Sequence, residues 1–389
     1  MKILQVIPYF YPAWAFGGPV RVAYHISQEL AAKGHEVTVF TTNVFNPKED
    51  FKISAREYQV DGIRVRYFRN IARFEGLYFS PTIVEALKEQ VQNTDIIHMH
   101  EYRSLQNVVT YYFAKKYKRP YVLTAHGSIP RVVERFLLKQ LFDTLIGFRI
   151  LNGASKLLAS SKIEMKQYMD TGISEDRIAI IPNGIDVKTF DNLPETGAFK
   201  RKFGLDKESN IILYVGRIHK RKGIDFLVDA FARLNYSNAL LVIAGAGNHY
   251  VSSLKDKAVR LGISEKVIFT GFISEADKLS AYVDSEVVVY PGLYESFPLV
   301  PIESALSSKP VIVSDDSIMA EIVTQGGFGF SARYGDVAQL TELLLKILGN
   351  PKIAEEMGSN GRDFVKKNYN WGDIVSKLEV VYFNAIASN

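Results

Sequence analysis

The chain has no cysteine and no long apolar run. Without cysteine, neither a disulfide nor a thiolate-bound metal can form, which is compatible with a cytoplasmic setting. No stretch approaches the roughly 18 consecutive apolar residues that a membrane-spanning helix requires. The opening MKILQVIPYF is cut short by Pro8 and Pro12, so it predicts a β-strand rather than a signal peptide. We therefore expect a cytoplasmic protein, at most associated with the inner face of the membrane.

Neither sign of charge dominates the chain. Its 47 basic and 42 acidic residues leave a net charge of +5, a balance too mild to indicate a nucleic-acid partner. At 389 residues, 47% of them hydrophobic, the chain is long enough for two domains with separate cores.

A β-α-β pattern occurs near the start of the chain and returns after its middle. A strand, a loop with Gly17 and Gly18, a helix at about 20–33 and the strand HEVTVFTT form the first unit. IILYVG, GIDFLVDAFARL and ALLVIAG form the second. Their strands are apolar without alternation, which is typical of parallel sheets covered on both faces. We predict an α/β protein of two Rossmann-like domains facing across a cleft: 1–190 for the acceptor, 191–365 for the donor, and a helix at 366–389 packing back towards the first domain.

The loop YVGRIHKRKG, residues 214–223, carries four cations between a strand and a helix: Arg217, Lys220, Arg221 and Lys222. The loop follows the carboxyl end of a strand, where ligands of such sheets bind, so we expect it to face the ligand cleft.

A second loop, YESFPLVPIESAL at 294–306, carries two carboxylates eight positions apart, Glu295 and Glu303. Pro298 suits the first turn of a helix, whose free amides favour an anion, while a carboxylate within the helix can accept hydrogen bonds from a vicinal diol. Together these features predict a sugar phosphate. The alternative is that Glu295 caps the helix and Glu303 is a solvated position.

A dinucleotide site is a further alternative, because Gly17-Gly18 and the GAG at 245–247 each follow a strand. Neither completes the glycine fingerprint, and the second strand ends in Thr41, Thr42 and Asn43 without the acid that would bind a ribose. These departures disfavour NAD.

Five short motifs, in this order and spacing, resemble the retaining nucleotide-sugar glycosyltransferases of family four, the "group 1" type with the GT-B fold. They are Gly-Gly at 17–18, His-Gly at 126–127, PNGID at 182–186, Gly-Arg-x4-Lys-Gly at 216–223 and Glu-x7-Glu at 295–303. The resemblance implies a hexosyltransferase-like enzyme that moves a sugar from a nucleotide diphosphate donor to a glycan or lipid-linked acceptor, in surface polysaccharide, glycolipid or glycoprotein glycan synthesis. The alternatives are a nucleotide-sugar epimerase or phosphorylase on the same fold, or a non-catalytic sugar-nucleotide binding protein.

The resemblance also implies residue roles. Arg217 and Lys222 would hold the diphosphate, His126 would hydrogen-bond the donor sugar, Glu295 would meet the transferred sugar and Glu303 would bind the ribose. Lys220 and Arg221 lie at positions that the motif leaves free. Many family members have glycine where this chain has Pro298, which donates no N–H. The remaining predicted donor-binding residues are Gly17, Gly18, Gly216, Ser296, Phe297, Leu299 and Val300.

No metal or cofactor is expected. The chain has no Asp-x-Asp, the metal-chelating motif of the other main glycosyltransferase fold, and the resemblance implies metal-independent transfer. The alternative is a metal site formed by His126 with His98 and His100, which lie two apart and so on one face of a strand.

The acceptor side is indicated by two segments of the first domain. Residues 131–151 place Arg131, Arg135 and Lys139 at four-residue spacing on an apolar helix pattern, which suits a lipid–water interface and a peripheral membrane contact. The alternative is an ordinary buried helix with one solvated stripe. The basic and aromatic RVRYFRNIARF at 64–74 indicates an anionic or lipid-linked acceptor.

Overall fold

The computed structural model describes residues 1–53, 55, 57–74, 76–130, 136–247, 249–293 and 297–388. The chain forms two compact units. Unit 1 comprises 1–184 together with 371–389, and unit 2 comprises 185–370. The division therefore falls at 184 and 370, whereas the sequence pattern placed it at 190 and 365.

Unit 1 contains, among its described residues, an eight-stranded sheet in the order β10-β9-β8-β7-β1-β2-β4-β3. All neighbours are parallel except β3 and β4, and a separate antiparallel hairpin pairs β5 with β6. The central strands are buried except at the first residues of β1 and β2, Lys2 and Glu36, as expected for parallel strands covered on both faces. The strands are β1 Lys2–Val6, β2 Glu36–Thr42, β3 Tyr58–Val60, β4 Ile63–Phe68, β5 Ala72–Phe74, β6 Leu77–Phe79, β7 Ile96–His100, β8 Tyr121–Thr124, β9 Lys156–Ala159 and β10 Ile178–Ile180.

Helices cover both faces of this sheet. Serine side chains cap the N-termini of two of these helices. The Ser104 hydroxyl accepts a hydrogen bond from the Asn107 amide, and the Ser161 hydroxyl accepts one from the Glu164 amide. The helices are α1 Gly18–Ala32, α2 Ile83–Gln92, α3 Leu105–Lys116, α4 Phe136–Phe142, α5 Phe148–Gly153 and α6 Lys162–Met169.

The segment 131–151, predicted as one helix, is interrupted in the structure. A π-helical turn at Asp143–Gly147 separates α4 from α5, and residues 131–135 lie outside the described part of the chain. Arg103 holds this turn in place, because its guanidinium donates to both carboxylate oxygens of the buried Asp143, at 2.9 and 2.8 Å. Among the described residues of the segment, 136–151, the buried apolar side chains are those of Ile150 and Leu151.

Unit 2 contains, over its described residues, a six-stranded parallel sheet in the order β13-β12-β11-β14-β15-β16. The middle strands are buried aliphatic runs that form the core of the unit. The strands are β11 Asn210–Val215, β12 Ala239–Ala244, β13 Val267–Gly271, β14 Ser285–Tyr290, β15 Val311–Ser314 and β16 Gly329–Ala332. The helices are α7 Ala198–Phe203, α8 Ile224–Arg233, α9 His249–Arg260, α10 Glu275–Asp284, α11 Val300–Leu306, α12 Ile318–Gly326, α13 Val337–Leu348 and α14 Pro351–Asn368.

The C-terminal helix α15, Trp371–Ala387, belongs to unit 1. Its buried residues join the apolar cluster between α1 and the sheet. Polar contacts fix it as well: the Glu379 carboxylate lies 2.7 Å from the His35 ring and 3.2 Å from the Lys33 ammonium, and the Tyr382 hydroxyl lies 2.7 Å from His98 Nδ1. The last helix of the chain therefore reaches the centre of the first sheet.

No helix in the described ranges is both long enough and apolar enough to cross a membrane.

Candidate active site

The cationic loop of unit 2 connects β11 to α8 through a short 3-10 turn at Lys220–Lys222. Gly223 ends this turn with φ +65°, and a Cβ there would lie 2.5 Å from the carbonyl oxygen of Pro291. The Leu293 amide also donates to the Arg221 carbonyl at 3.0 Å. The two loops that the sequence singled out, 216–223 and the segment beginning at 291, are thus held against each other.

The four cations of this loop differ in their surroundings. Lys222 is half-buried, and its ammonium donates to the Tyr290 hydroxyl at 3.0 Å while lying 5.4 Å from the centre of that ring. Arg217, Lys220 and Arg221 are exposed. The Arg217 backbone is nevertheless fixed, because the Tyr214 hydroxyl donates to its carbonyl at 3.0 Å. Lys222 is therefore the cation whose position the fold defines most closely.

Glu303 lies in the first turn of α11 with its side chain 13% exposed. Lys278 donates to Oε1 at 2.9 Å, and the Tyr282 hydroxyl donates to Oε2 at 2.6 Å. Burial alone would lower the pKa of Lys278, but the carboxylates of Glu303 and Glu275 raise it overall. Because each carboxylate oxygen can accept two hydrogen bonds, Glu303 keeps capacity for a diol while its orientation is fixed.

The helix start differs from the expectation at Pro298. The structure begins α11 at Val300, with Leu299 as the N-cap, and places Pro301 rather than Pro298 in the first turn. Phe297 is buried, with its ring 5.8 Å from that of Tyr369. Among the predicted members of this loop, Glu295 and Ser296 lie outside the described residues.

The glycine loop of unit 1 leads directly into α1. Gly17, the N-cap residue, has φ +77° and ψ −133°, a conformation open to glycine alone. Gly18 is exposed and has an ordinary φ, and a Cβ built there meets no atom within 4 Å. No described residue therefore fills the space that a side chain at Gly18 would occupy.

His126 follows β8 with φ +53°, an uncommon conformation for a residue with a Cβ. Its position is fixed from both sides. The next amide, Gly127 N, donates to the buried Glu164 carboxylate at 2.7 Å, and His126 Nε2 lies 2.9 Å from His100 Nδ1. Backbone strain of this kind concentrates at functional sites.

His126 completes a column of three imidazoles, which we call the histidine stack: His98, His100 and His126. The ring centres are separated by 4.0 and 5.2 Å. Burial lowers the pKa of His126 to about 3 and holds the pKa values of His98 and His100 well below their ordinary value. The stack is therefore neutral near pH 7.

Glu101 stands beside the stack, also with a positive φ of +68°. Tyr9, from the loop before α1, donates to its carboxylate at 2.8 Å. Burial raises the pKa of Glu101 to about 7. The carboxyl ends of β1, β7 and β8 thus meet at one polar cluster.

The hydrogen bonds of the histidine stack disfavour the alternative of a metal site there. Both ring nitrogens of His98 lie within hydrogen-bonding distance of hydroxyl groups, Tyr382 at 2.7 Å and Thr124 at 2.8 Å. Within the described ranges, no group of three His, Asp or Glu side chains is arranged to hold a metal ion.

Comparison with protein families accounts for most of the chain. Residues 16–189 match the model described as "Glycosyltransferase Family 4", and residues 195–364 match "Glycosyl transferases group 1". The chain belongs to glycosyltransferase family 4. The predicted family is confirmed. The match favours a glycosyltransferase over the alternatives of an epimerase, a phosphorylase or a non-catalytic binding protein.

This glycosyltransferase is similar along its full length to known proteins. An uncharacterised glycosyltransferase of Methanocaldococcus jannaschii is 27% identical and is aligned over 98% of each chain. Sucrose-phosphate synthase from Thermosynechococcus elongatus superposes with a TM-score of 0.78 at 22% identity, covering 100% of both chains. Anabaena HepE in complex with UDP gives 0.78 at 18% identity, covering 98% of this chain and 99% of that one. These likenesses confirm the GT-B fold.

Several residues of the glycosyltransferase were missed by sequence reasoning. Tyr290 and Tyr282 support Lys222 and Glu303 from other strands and helices, and Glu164 holds the backbone after His126. One signal was available: Gln5 is a polar residue within the first apolar strand, and it lies 2.6 Å from His100. The roles predicted for the site residues themselves remain predictions.

Proposed function

We propose that this glycosyltransferase moves a hexose from a uridine diphosphate sugar to an acceptor hydroxyl, with retention of the anomeric configuration. The observation that carries the proposal is the half-buried Lys222, fixed by Tyr290 on a loop that also presents Arg217. Anabaena HepE, of the same fold, has been crystallised with UDP and with UDP-glucose. Retention is proposed from family membership, since enzymes of this family are generally retaining.

In the proposed reaction, the bond between the anomeric carbon and the β-phosphate oxygen breaks as the acceptor oxygen forms its bond to the same carbon. Lys222 and Arg217 stabilise the negative charge that develops on the diphosphate, and the leaving phosphate oxygen takes the acceptor proton. Glu303 accepts hydrogen bonds from the ribose diol, and His126 bonds a sugar hydroxyl. We propose that transfer needs no metal, because these cations already supply the positive charge.

Transfer can be tested with purified protein, UDP-hexoses and membrane or glycan extracts as acceptor sources. We expect donor-dependent labelling of an acceptor that survives EDTA, and an α-linked product from an α-linked donor by NMR. Loss of activity in EDTA with recovery on adding a divalent metal would refute the metal-independent proposal. An inverted anomeric centre would refute retention.

We propose that the acceptor is anionic and lipid-linked. A cavity of about 500 Å³ in unit 1 is lined by Arg66 and Arg69 together with Tyr67 and Phe68. The Arg66 guanidinium lies 5.0 Å from the ring centre of Phe40, an arrangement that fixes the cation while leaving its N–H groups available to an anion. Changing Arg66 to Gln should lower transfer into the lipid-extractable product without changing UDP affinity.

We also propose that α4 rests on an anionic membrane surface. It exposes large apolar side chains, with Leu137 at 78%, Leu141 at 56% and, in the following turn, Leu145 at 61%. Replacing these three leucines with Ser should abolish co-sedimentation with anionic liposomes. The matched control is Phe272→Ser, which removes an 83% exposed apolar residue from unit 2. Equal binding by both variants would refute the proposal.

A further inference from the structure

A continuous hydrogen-bond chain links the first strand, the C-terminal helix and His126. Gln5 Oε1 lies 2.6 Å from His100 Nε2, and His100 Nδ1 lies 2.9 Å from His126 Nε2. On the other side of Gln5, its amide nitrogen donates to the Tyr382 hydroxyl at 3.5 Å. Gln5 and His100 are fully buried, so bulk solvent does not reach them.

This chain of hydrogen bonds fixes which ring nitrogens carry protons. The amide of Gln5 is oriented with Oε1 towards His100, and an amide oxygen can only accept, so in this orientation the proton of His100 is on Nε2. His100 is neutral, because it is buried between two other imidazoles and a neutral amide, so its Nδ1 carries a lone pair. His126 Nε2 must therefore donate to it, which leaves the lone pair of neutral His126 on Nδ1.

The same direction of donation continues through the rest of the cluster. The Tyr382 hydroxyl accepts from Gln5 and donates to His98 Nδ1, and His98 Nε2 then donates to the Thr124 hydroxyl at 2.8 Å. Every buried polar atom of these five contacts is satisfied by this one assignment. No hydrogen bond from the described residues reaches Nδ1 of His126, a half-buried residue.

We infer that Gln5 and His100 are positioning residues that hold His126 as its Nε2–H tautomer, so that Nδ1 accepts a hydrogen bond from a hydroxyl of the bound sugar. The sugar part of this inference rests on the proposed function, whereas the tautomer does not. An accepting nitrogen selects a donor sugar that carries a hydroxyl at that position. It disfavours a deoxy group, which offers no proton, and a carboxylate, whose lone pairs face that of Nδ1.

The tautomer can be observed directly in the full-length protein labelled with ¹⁵N-histidine. The His126 resonances are identified by their loss in His126→Asn. We expect a protonated Nε2 and an unprotonated Nδ1 in the absence of any ligand. A protonated Nδ1 would overturn the inference.

Gln5→Glu is designed to reverse the tautomer. A buried carboxylate at this position would hold a second proton on His100, whose Nδ1–H would then donate to His126 Nε2 and shift the His126 proton to Nδ1. Gln5→Met, which removes the acceptor without adding charge, should give a mixture of tautomers. Tyr382→Phe is the control, since it removes a hydroxyl of the same cluster but leaves the Gln5–His100–His126 contacts in place. An unchanged His126 tautomer in Gln5→Glu and Gln5→Met would refute the positioning role.

Donors in which one hydroxyl at a time is replaced by fluorine connect the tautomer to function, because fluorine offers lone pairs but no proton. We expect wild-type kcat/KM to fall about tenfold for one of them, which corresponds to about 1.4 kcal/mol. That loss should shrink in Gln5→Glu, whose His126 Nδ1–H faces the fluorine with a proton, and persist in Tyr382→Phe. A loss of equal size in Gln5→Glu would overturn the contact with Nδ1. If no UDP-hexose is a substrate while the NMR assignment holds, the proposed function fails and the tautomer stands.

Discussion

Replacing Lys222 with Met should lower turnover by about 10²- to 10³-fold. The ammonium is half-buried and held by Tyr290, so it can meet the developing charge on the β-phosphate without reorganising. Two unit charges 4 Å apart interact by about 4 kcal/mol at an effective dielectric constant of 20. Part of this attraction already exists in the bound donor. A differential of about 3 kcal/mol remains for the transition state, which corresponds to about 10²-fold, the lower end of this range.

Lys220→Met is the matched control, because Lys220 is a cation two residues away on the same turn but is exposed. Solvent and salt screen its charge, so we expect less than about a twofold change. Tyr290→Phe should fall between the two, at about tenfold, since it keeps the Lys222 charge but removes the hydroxyl to which the ammonium donates.

The assay is initial-rate kinetics at saturating acceptor, with thermal unfolding to show that each variant is folded. An interaction made mainly in the transition state lowers kcat and kcat/KM together, whereas a cation that only attracts the donor raises KM. Equal and small effects of Lys222→Met and Lys220→Met would refute a role for this loop in the chemistry. A large loss for both would instead indicate general electrostatic attraction.

Three further predictions follow from the described contacts. Gly18→Ala should leave the melting temperature unchanged, because its Cβ meets no protein atom, but should abolish donor binding by calorimetry; normal binding would refute a close approach of the diphosphate. Glu303→Ala should weaken UDP binding about tenfold or more by calorimetry, even without the sugar, and unchanged binding would exclude the ribose contact. Below about pH 6.5 the three histidines of the stack take up protons in the unfolded chain but stay neutral in the folded protein. The free energy of unfolding should therefore fall by about 1.4 kcal/mol per histidine for each pH unit that the pH is lowered. For His126 this fall ends near its folded-state pKa of about 3. Between about pH 4.5 and 7, Glu101 offsets one of these protons, because its native pKa is raised. A flat pH profile of urea unfolding would contradict this neutral, buried stack.

The family and the fold could be predicted from sequence because their signals are local. Unbroken apolar strands, glycines in turns and closely spaced cations are patterns of neighbouring residues. Each pattern meets a local requirement of the backbone or of phosphate binding, so residue spacing alone is enough to recognise it. The residues at which helices begin were predicted less accurately than the fold. Pro298 suited a first turn, yet α11 begins two residues later, because a second proline, Pro301, meets the same requirement.

The sequence alone thus determined which loops carry the candidate chemistry, while tertiary structure decided which of their side chains are fixed. Four cations within six residues are equivalent in the sequence. Only folding brings Tyr290, 68 positions from Lys222, to one of them. The tautomer of His126 likewise depends on Gln5, which pairing of β1 with β7 places beside His100. Burial, orientation and proton position arise from contacts between residues distant in sequence, and no local pattern contains that information.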